Sequence, residues 1–368
     1  MNIVVAGGGT AGHINPAITI ANTIKQKCEN ANILFLGNEN SLEQKLVTKA
    51  GYDIKFIRVT GLKRSLSLHN AKALAYFLKS VADCKKILKE FKADVVVGTG
   101  GYVSAPAVYA AHALGIKTAI HEQNAFPGIT SRFLSRFVDT VFISFESSRK
   151  YFSKSKNVVL TGNPLDSKFL FADKLKSRKE LGIPEDAFYV LSFAGSLGAR
   201  EFNKVMIDIV AKNDAQKDFY HSHATGSFGY KWLPDELLKR GFDVTKKSHI
   251  DVLEYIYDMP LRLAACDVVV SRAGAITLGE ITAQGKASIL IPSPNVTNNH
   301  QYHNAMSLVN AGAAKIIEEK DLTSDKLYDA ILEIKQNPDL AKELGKNASK
   351  CALYRAAEEI YDGIIKLI

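Results

Sequence analysis

Gly7, Gly8, Gly9 and Gly12 fall within the six residues 7–12 of "GGGTAGH", and the run ends against an imidazole, His13. A glycine run that hands a strand to a helix presents backbone N–H groups at the positive end of a helix dipole. That combination holds phosphate without a metal. "GTGGYVSAP" (98–106) and "AGSLGAR" (194–200) repeat the pattern. Three such loops point to a diphosphate-bearing substrate, although each alone also reads as an ordinary turn between strand and helix. Gly7, Gly9 and Gly12 further satisfy the dinucleotide fingerprint G-x-G-x-x-G. The acid that fingerprint wants at the end of the second strand is met only approximately, by Glu39.

His13 should start a helix beside whatever its loop binds, or it is only a cap. "HEQNAFPG" (121–128) sets four polar residues directly after the strand "KTAI", where ligand contact is favoured over packing. In "SRAGAITLGE" (271–280), Thr277 and Glu280 have the spacing of a capping box. With Ala275 near the helix start, Glu280 would lie one turn in, where an acid can accept the hydroxyls of a ribose. Spacing alone leaves both readings open. Asn298, Asn299, His300, Gln301 and His303 supply the neutral donors and acceptors that suit sugar hydroxyls.

Metal and nucleophile chemistry find little support. His300 and His303 are three apart rather than the four of a helical zinc pair, His221 and His223 share a strand face without a third ligand, and no Asp-x-Asp occurs. No metal and no cofactor is expected. Serines lack the G-x-S-x-G elbow, so leaving-group charge must be met by dipoles and N–H groups.

To hold these residues, the chain needs strands that end in glycine. "NIVVAGGG", "NILFLGN", "DVVVGTGGY", "KTAIHEQN" and "TVFISF" each hand over to a helical pattern, the signature of a parallel α/β sheet. The pattern restarts after "VVLTGNPLD" with "YVLSFAGSLGAREFN", "DVVVSRAGAITLGEITAQG" and "ASILIPSP". Two doubly wound domains meeting near Asn163 and Pro164, with a cleft between them, are expected. The length of 368 residues suits two domains, and 46% apolar with 23% charged residues is ordinary for a folded protein. Nowhere do 18 apolar residues run together, no basic segment precedes Ile3, and Cys28, Cys84, Cys266 and Cys351 are scattered, so a cytoplasmic protein with free thiols is expected. Net charge is +9, and residues 61–92 hold eight Lys/Arg against two acids. Such an excess suits nucleic acid, nucleotide phosphates or an anionic membrane.

Taken together, "GGGTAGH", "GTGGYVSAP", "HEQN", "TGNP", "GSLGAR", "SRAGAITLGE" and "HQYHNA" resemble, in order and spacing across essentially the whole chain, the MurG family of peptidoglycan N-acetylglucosaminyltransferases. The resemblance implies the GT-B fold: an acceptor- and membrane-binding domain over 1–164, a UDP-sugar domain over 165–351, and a terminal helix within 352–368 crossing back to the first domain. It implies an inverting transfer of N-acetylglucosamine from UDP-N-acetylglucosamine to the muramoyl 4-hydroxyl of lipid I. His13 is the candidate general base. Thr10, Ala11, Gly12 and Asn124 would approach the donor sugar, Ser196 its diphosphate, Ile256 the uracil, and Gln301 the sugar. Ala275, Ile276, Thr277, Leu278, Gly279 and Glu280 would hold diphosphate and ribose, Glu280 as ribose acceptor. Implied partners are UDP-N-acetylglucosamine, lipid I, the anionic cytoplasmic face of the inner membrane and other cell-wall synthesis proteins, with no nucleic acid. The rival readings are a UDP-N-acetylglucosamine 2-epimerase of the same fold, an NAD-dependent oxidoreductase and a non-catalytic scaffold.

Three positions depart from that family's pattern: Asp166 stands where many members have Arg, Leu197 where they have Gln, and His300 precedes Gln301 where they have a Gln pair. Arg200 or Arg272 would have to supply the missing charge. For the membrane, a helix over 70–92 carries Leu74, Phe77, Leu78, Val81, Cys84, Leu88 and Phe91 at helical spacing, mostly toward the core. Leu66 and Leu68 with Lys63, Arg64, Lys72, Lys79, Lys85 and Lys86 suit peripheral adsorption.

Overall fold

The computed structural model describes residues 1–59, 68–246 and 248–368, except for the side chains of residues 68–74. The chain divides into two compact units, Met1–Leu165 with Leu353–Ile368, and Asp166–Ala352. Strands such as Ile3–Ala6 and Val95–Val97 are apolar without alternation. Both their faces must therefore be covered, as in a parallel sheet with helices on either side.

In the first unit, β1 (Asn2–Gly7), β2 (Asn32–Gly37), β3 (Asp53–Phe56), β4 (Val95–Gly100), β5 (Lys117–Glu122), β6 (Thr140–Ile143) and β7 (Val158–Leu160) pair in parallel in the order β3-β2-β1-β4-β5-β6-β7. One face is covered by Ile14, Ile20 and Ile24 of the helix Ala11–Lys27 together with Ile360 and Ile364 of the helix Ala356–Ile365, all buried. The end of the chain thus completes the core of its beginning. Burial of each such side chain contributes roughly 1.5–3 kcal/mol. The other face is covered by Val81, Cys84 and Leu88 of the helix Leu68–Phe91 and by Val108 and Ala111 of the helix Ser104–Ala113.

In the second unit, β8 (Tyr189–Phe193), β9 (Tyr220–Ala224), β10 (Ile250–Leu253), β11 (Val268–Ser271), β12 (Ala287–Leu290) and β13 (Lys315–Ile316) pair in the order β10-β9-β8-β11-β12-β13, again all parallel. Phe202, Met206 and Ile209 of the helix Arg200–Gln216, with Leu327, Tyr328 and Ile331 of the helix Ser324–Gln336, fill one face. Arg178 is 2% exposed and sits at the amino ends of the central strands β8 and β11. It donates to the carbonyls of Ala265, Glu185 and Ala187 and pairs with Asp267 at 2.6 Å.

Both sheets reverse direction beside their first strand, between β1 and β4 and between β8 and β11. At such a switch point the loops leave in opposite directions and open a crevice at the carboxyl ends of the strands. The glycine loops of the sequence are the loops at these two points.

Candidate active site

At the switch point of the first unit, the loop after β1 meets the loop after β4 backbone to backbone. Gly8 N–H donates to Gly100 O at 3.3 Å, and a Cβ on Gly101, whose φ is +75°, would stand 2.2 Å from Gly8 O. Only glycine permits that approach. His13, third residue of the helix Ala11–Lys27, turns its ring back over this contact, with Nδ1 3.0 Å from Gly8 O and 3.3 Å from Thr10 Oγ1. A carbonyl only accepts, so the proton of the neutral ring sits on Nδ1 and Nε2 is the basic nitrogen. Thr99 Oγ1 donates to His13 O at 2.8 Å and fixes the helix start.

This geometry corrects one expectation from sequence. The N–H groups of Gly8 and Gly9 do not cradle phosphate: Gly8 donates to Gly100, and Gly9 donates to Glu43 Oε2 at 3.2 Å. Glu43 is 1% exposed and also accepts from Asn38 N at 3.2 Å. It was missed because an acid in the first turn of a short helix reads as a dipole complement. The first-turn N–H groups of Ala11 and Gly12 remain, since the N-cap Thr10 supplies no side-chain cap.

"HEQN" also needs correction, because three of its four residues pack rather than face a ligand. His121, Glu122 and Gln123 are all buried. His121 Nε2 lies 2.9 Å from Gly162 O and its Nδ1 3.0 Å from Gln123 Nε2, and burial pushes its pKa down to about 4. Gln123 also donates to Thr99 O at 2.8 Å. Gln123 thus ties the end of β5 to β4, His121 ties β5 to the turn after β7, and Glu122 holds its own loop through Asn124 N and Gly128 N. Asn124 is partly exposed, and its N and Nδ2 donate to Glu122 Oε1 at 3.0 and 3.1 Å.

At the switch point of the second unit, the loop Gly195–Gly198 precedes the helix Arg200–Gln216. Gly198 has φ +79°, and a Cβ there would lie 2.0 Å from Thr225 O, so this loop rests on the turn after β9. Ser196 is exposed, Leu197 is 59% exposed, and Arg200 is exposed at the first helical position. Across the switch point the helix Ala275–Ala283 starts from Gly274 as N-cap, without a side-chain cap. Thr277 is therefore the third helical residue and Glu280 the sixth, beyond the reach of a capping box. That alternative is removed.

A cavity of about 210 Å³ lies between these parts, lined by Gly195, Gly198, Arg272, Thr277, Ser293 and Gln301 among others. Gln301 Oε1 accepts from Ser293 N at 2.9 Å, which leaves its Nε2 hydrogens as donors. Arg272 pairs with Glu319 and donates to Ile291 O at 3.1 Å, while its buried Nε has no partner among the described residues. The Glu280 carboxyl meets no hydrogen bond or ion pair among the described residues, and burial pushes its pKa up to about 8. Asp166 is exposed and accepts from Lys168 N at 2.9 Å.

Ile256 follows β10 at the same end of the sheet with its side chain 3% exposed, so a base there would meet its backbone. Ile276, Leu278 and Gly279 lie in the same helix as Glu280, with Leu278 turned into the core. Among the described residues no cluster of His, Cys, Asp and Glu could hold a metal, and no helix is long and apolar enough to cross a membrane. Lys63, Arg64 and Leu66 lie outside the described residues, as do the side chains of Leu68, Lys72 and Leu74. On the described part of that helix Val81, Cys84 and Leu88 are buried, whereas Leu78 is 62% exposed beside exposed Lys79.

Two Rossmann-like units of this topology, each with a glycine loop and an uncapped helix N-terminus at its switch point, define the GT-B glycosyltransferase class. Residues 3–143 match the glycosyltransferase family 28 N-terminal domain and residues 189–360 its C-terminal domain, and the chain belongs to this family. A protein of Acetivibrio thermocellus named UDP-N-acetylglucosamine–N-acetylmuramyl-(pentapeptide) pyrophosphoryl-undecaprenol N-acetylglucosamine transferase is 44% identical over 366 residues, covering 100% of this chain and 98% of its own. A Bacillus cereus protein of the same name, numbered 1, is 42% identical over 368 residues, with 100% of both chains covered. The crystal structure of Acinetobacter baumannii MurG superposes with a TM-score of 0.79 at 27% identity over 99% of both chains. A UDP-GlcNAc 2-epimerase from Neisseria meningitidis bound to UDP-GlcNAc reaches 0.68 at 13% identity over 100% of both, a likeness of fold alone.

Proposed function

We propose that this chain carries out the reaction that its relatives' names state, moving N-acetylglucosamine from UDP-N-acetylglucosamine to N-acetylmuramyl-(pentapeptide) pyrophosphoryl-undecaprenol. The observation that carries the reading is the cavity of about 210 Å³ under the uncapped start of the helix Ala275–Ala283, with Thr277, Gln301 and the Ser196 loop around it. Helix N–H groups and dipole there would hold the donor diphosphate and stabilise UDP as it leaves. Glu280 would accept the ribose hydroxyls, the backbone at Ile256 the uracil, and Gln301 the sugar.

In the first unit, His13 would take the proton of the attacking muramoyl 4-hydroxyl on Nε2, because Nδ1 is committed to Gly8 O. Such a base contributes typically ~10²–10⁴-fold. Thr10, Ala11, Gly12 and Asn124 would border the reacting sugar. One in-line displacement inverts the anomeric carbon and gives a β1,4 link. Because the acceptor carries an undecaprenyl chain, the enzyme would work adsorbed on the cytoplasmic face of the membrane, with Leu78 and Lys79 part of the contact and other cell-wall synthesis proteins as neighbours.

Incubation with UDP-N-acetylglucosamine and a short-chain soluble lipid acceptor tests the reading. A transferase gives a disaccharide-lipid and UDP in equal amounts. Release of a free epimerised sugar, or donor left intact, would overturn it.

A further inference from the structure

Behind the Ser196 loop, the second unit buries a polar chain that no step above uses. Asn203, in the helix Arg200–Gln216, is 1% exposed, and its Nδ2 donates to Thr225 O at 2.8 Å. Its Oδ1 is therefore an acceptor, and His223 Nε2, at 3.2 Å, must carry a proton toward it. His223 Nδ1 is then a lone pair, which takes the Ser192 hydroxyl proton at 2.8 Å. The same Ser192 oxygen accepts from His221 Nε2 at 2.8 Å. Every donor in the chain points the same way, from His221 through Ser192, His223 and Asn203 to the carbonyl of Thr225. His221 Nδ1, at the far end, is buried without a partner among the described residues.

The end that matters is Thr225. Its carbonyl stands 2.0 Å from where a Cβ on Gly198 would be, and the turn it begins grips the same loop twice more, Ser227 N to Ser196 O at 3.1 Å and Phe228 N to Leu197 O at 3.3 Å. Gly229 must be glycine for the amide to fit, since a Cβ there would lie 2.2 Å from Asn203 Nδ2. We propose that Asn203, oriented by His223, is a positioning residue that sets the turn Thr225–Phe228 and through it the backbone of the Ser196 loop for the donor diphosphate. The functional half of this rests on the UDP-sugar reading above. Buried charge would break the chain, and the histidines stay neutral across the working range: burial holds His223 down at about 3 and His221 well below its ordinary value. The groups around them are the rings of Phe202 and Phe219, His249 beside His221, and Tyr189 with Arg262 at Ser222.

Asn203→Asp supplies the test, because a carboxylate has nothing to donate to Thr225 O until it takes up a proton. Because burial raises a carboxyl here as it does at Glu280, the comparison is made at pH 9, where the variant is expected to bind UDP at least tenfold more weakly than the parent by calorimetry, and to lose amide-exchange protection at Ser227 and Phe228. As pH falls toward 6 and the buried carboxyl takes up its proton, affinity and protection should return toward parental values. His223→Gln, whose amide nitrogen reaches the position of Nε2, should retain UDP affinity, whereas His223→Asn, which stops at the position of Nδ1, should lose it. Equal protection in Asn203→Asp and the parent at pH 9, or equal behaviour of the two His223 variants, would overturn the proposal. Lost protection with unchanged UDP affinity would overturn its functional half. Failure of the parent to bind UDP would instead overturn the UDP-sugar reading and that half with it, while amide protection would still decide the positioning role.

Discussion

The ring of His13 occupies the space that a side chain on Gly100 would need: a Cβ at Gly100 would stand 2.6 Å from His13 Cδ2 and 3.0 Å from Nε2. Two residues 87 apart in the sequence therefore share one volume at the switch point of the first sheet.

Gly100→Ala should displace that ring. Turnover is expected to fall on the order of 10²-fold, the usual result of a misplacement near 1 Å, with UDP affinity unchanged. Gly115→Ala is the control, because Gly115 also has positive φ, +72°, but nothing within 4 Å of a Cβ, so it carries only about 1 kcal/mol of backbone strain. His13→Ala should mimic Gly100→Ala, since a base acts in the transition state and not in donor binding. Steady-state kinetics in which Gly100→Ala turns over like Gly115→Ala would count against His13 as base.

Glu43→Gln replaces one of two acceptor oxygens by an amide that can only donate. Either Gly9 N or Asn38 N then faces another donor, at a cost of about 1–3 kcal/mol for the unsatisfied pair. Lower thermal stability and reduced turnover with unaltered UDP binding are expected. Parental stability would mean that the carboxylate is not what holds the two loops.

Glu280→Gln should weaken UDP binding by roughly 1.5–3 kcal/mol, the worth of hydrogen bonds to a charged acceptor. The parent should also release a proton on binding UDP near pH 7, because ribose hydroxyls favour the ionised form of a carboxyl that burial holds up at about 8. Calorimetry in buffers of different ionisation enthalpy reads that proton, and the variant should show none. Stability follows the same titration. A folded-state pKa above the ordinary 4.5 contributes stability below about pH 4.5 and loses it as pH rises through about 8. Relative to the parent, Glu280→Gln should therefore gain stability, up to a few kcal/mol, across that window. A constant difference from pH 4 to 9 would contradict this.

Leu78→Glu combined with Lys79→Glu should weaken sedimentation with anionic vesicles at low salt, since each Lys near the surface contributes about 1 kcal/mol and Leu78 offers its apolar side chain to the interface. Activity on a soluble short-chain acceptor should persist. Unchanged vesicle binding by the folded double variant would move the membrane contact to another face.

The class of fold was legible from local pattern, because each strand of a parallel sheet must be apolar on both faces and must end where a helix begins, and both demands are written within a dozen residues. "NIVVAGGG" and "YVLSFAGSLGAR" could be read as parallel strands handing over to helices through glycine turns for that reason, whereas their place at the switch points follows from the strand order. Which donors and acceptors remain for a ligand was decided only by tertiary structure. The N–H groups of Gly8 and Gly9 are spent on Gly100 and Glu43, residues of other elements, and the polar run "HEQN" is mostly consumed in tying β5 to β4 and to the turn after β7 and in holding its own loop. Glu280 shows the converse: its spacing from Thr277 fits a capping box, and only the helix start at Gly274 leaves its carboxyl unpartnered. Local sequence sets which groups a loop carries, whereas long-range packing decides which of their hydrogen bonds are already made, and a binding site consists of those that are not.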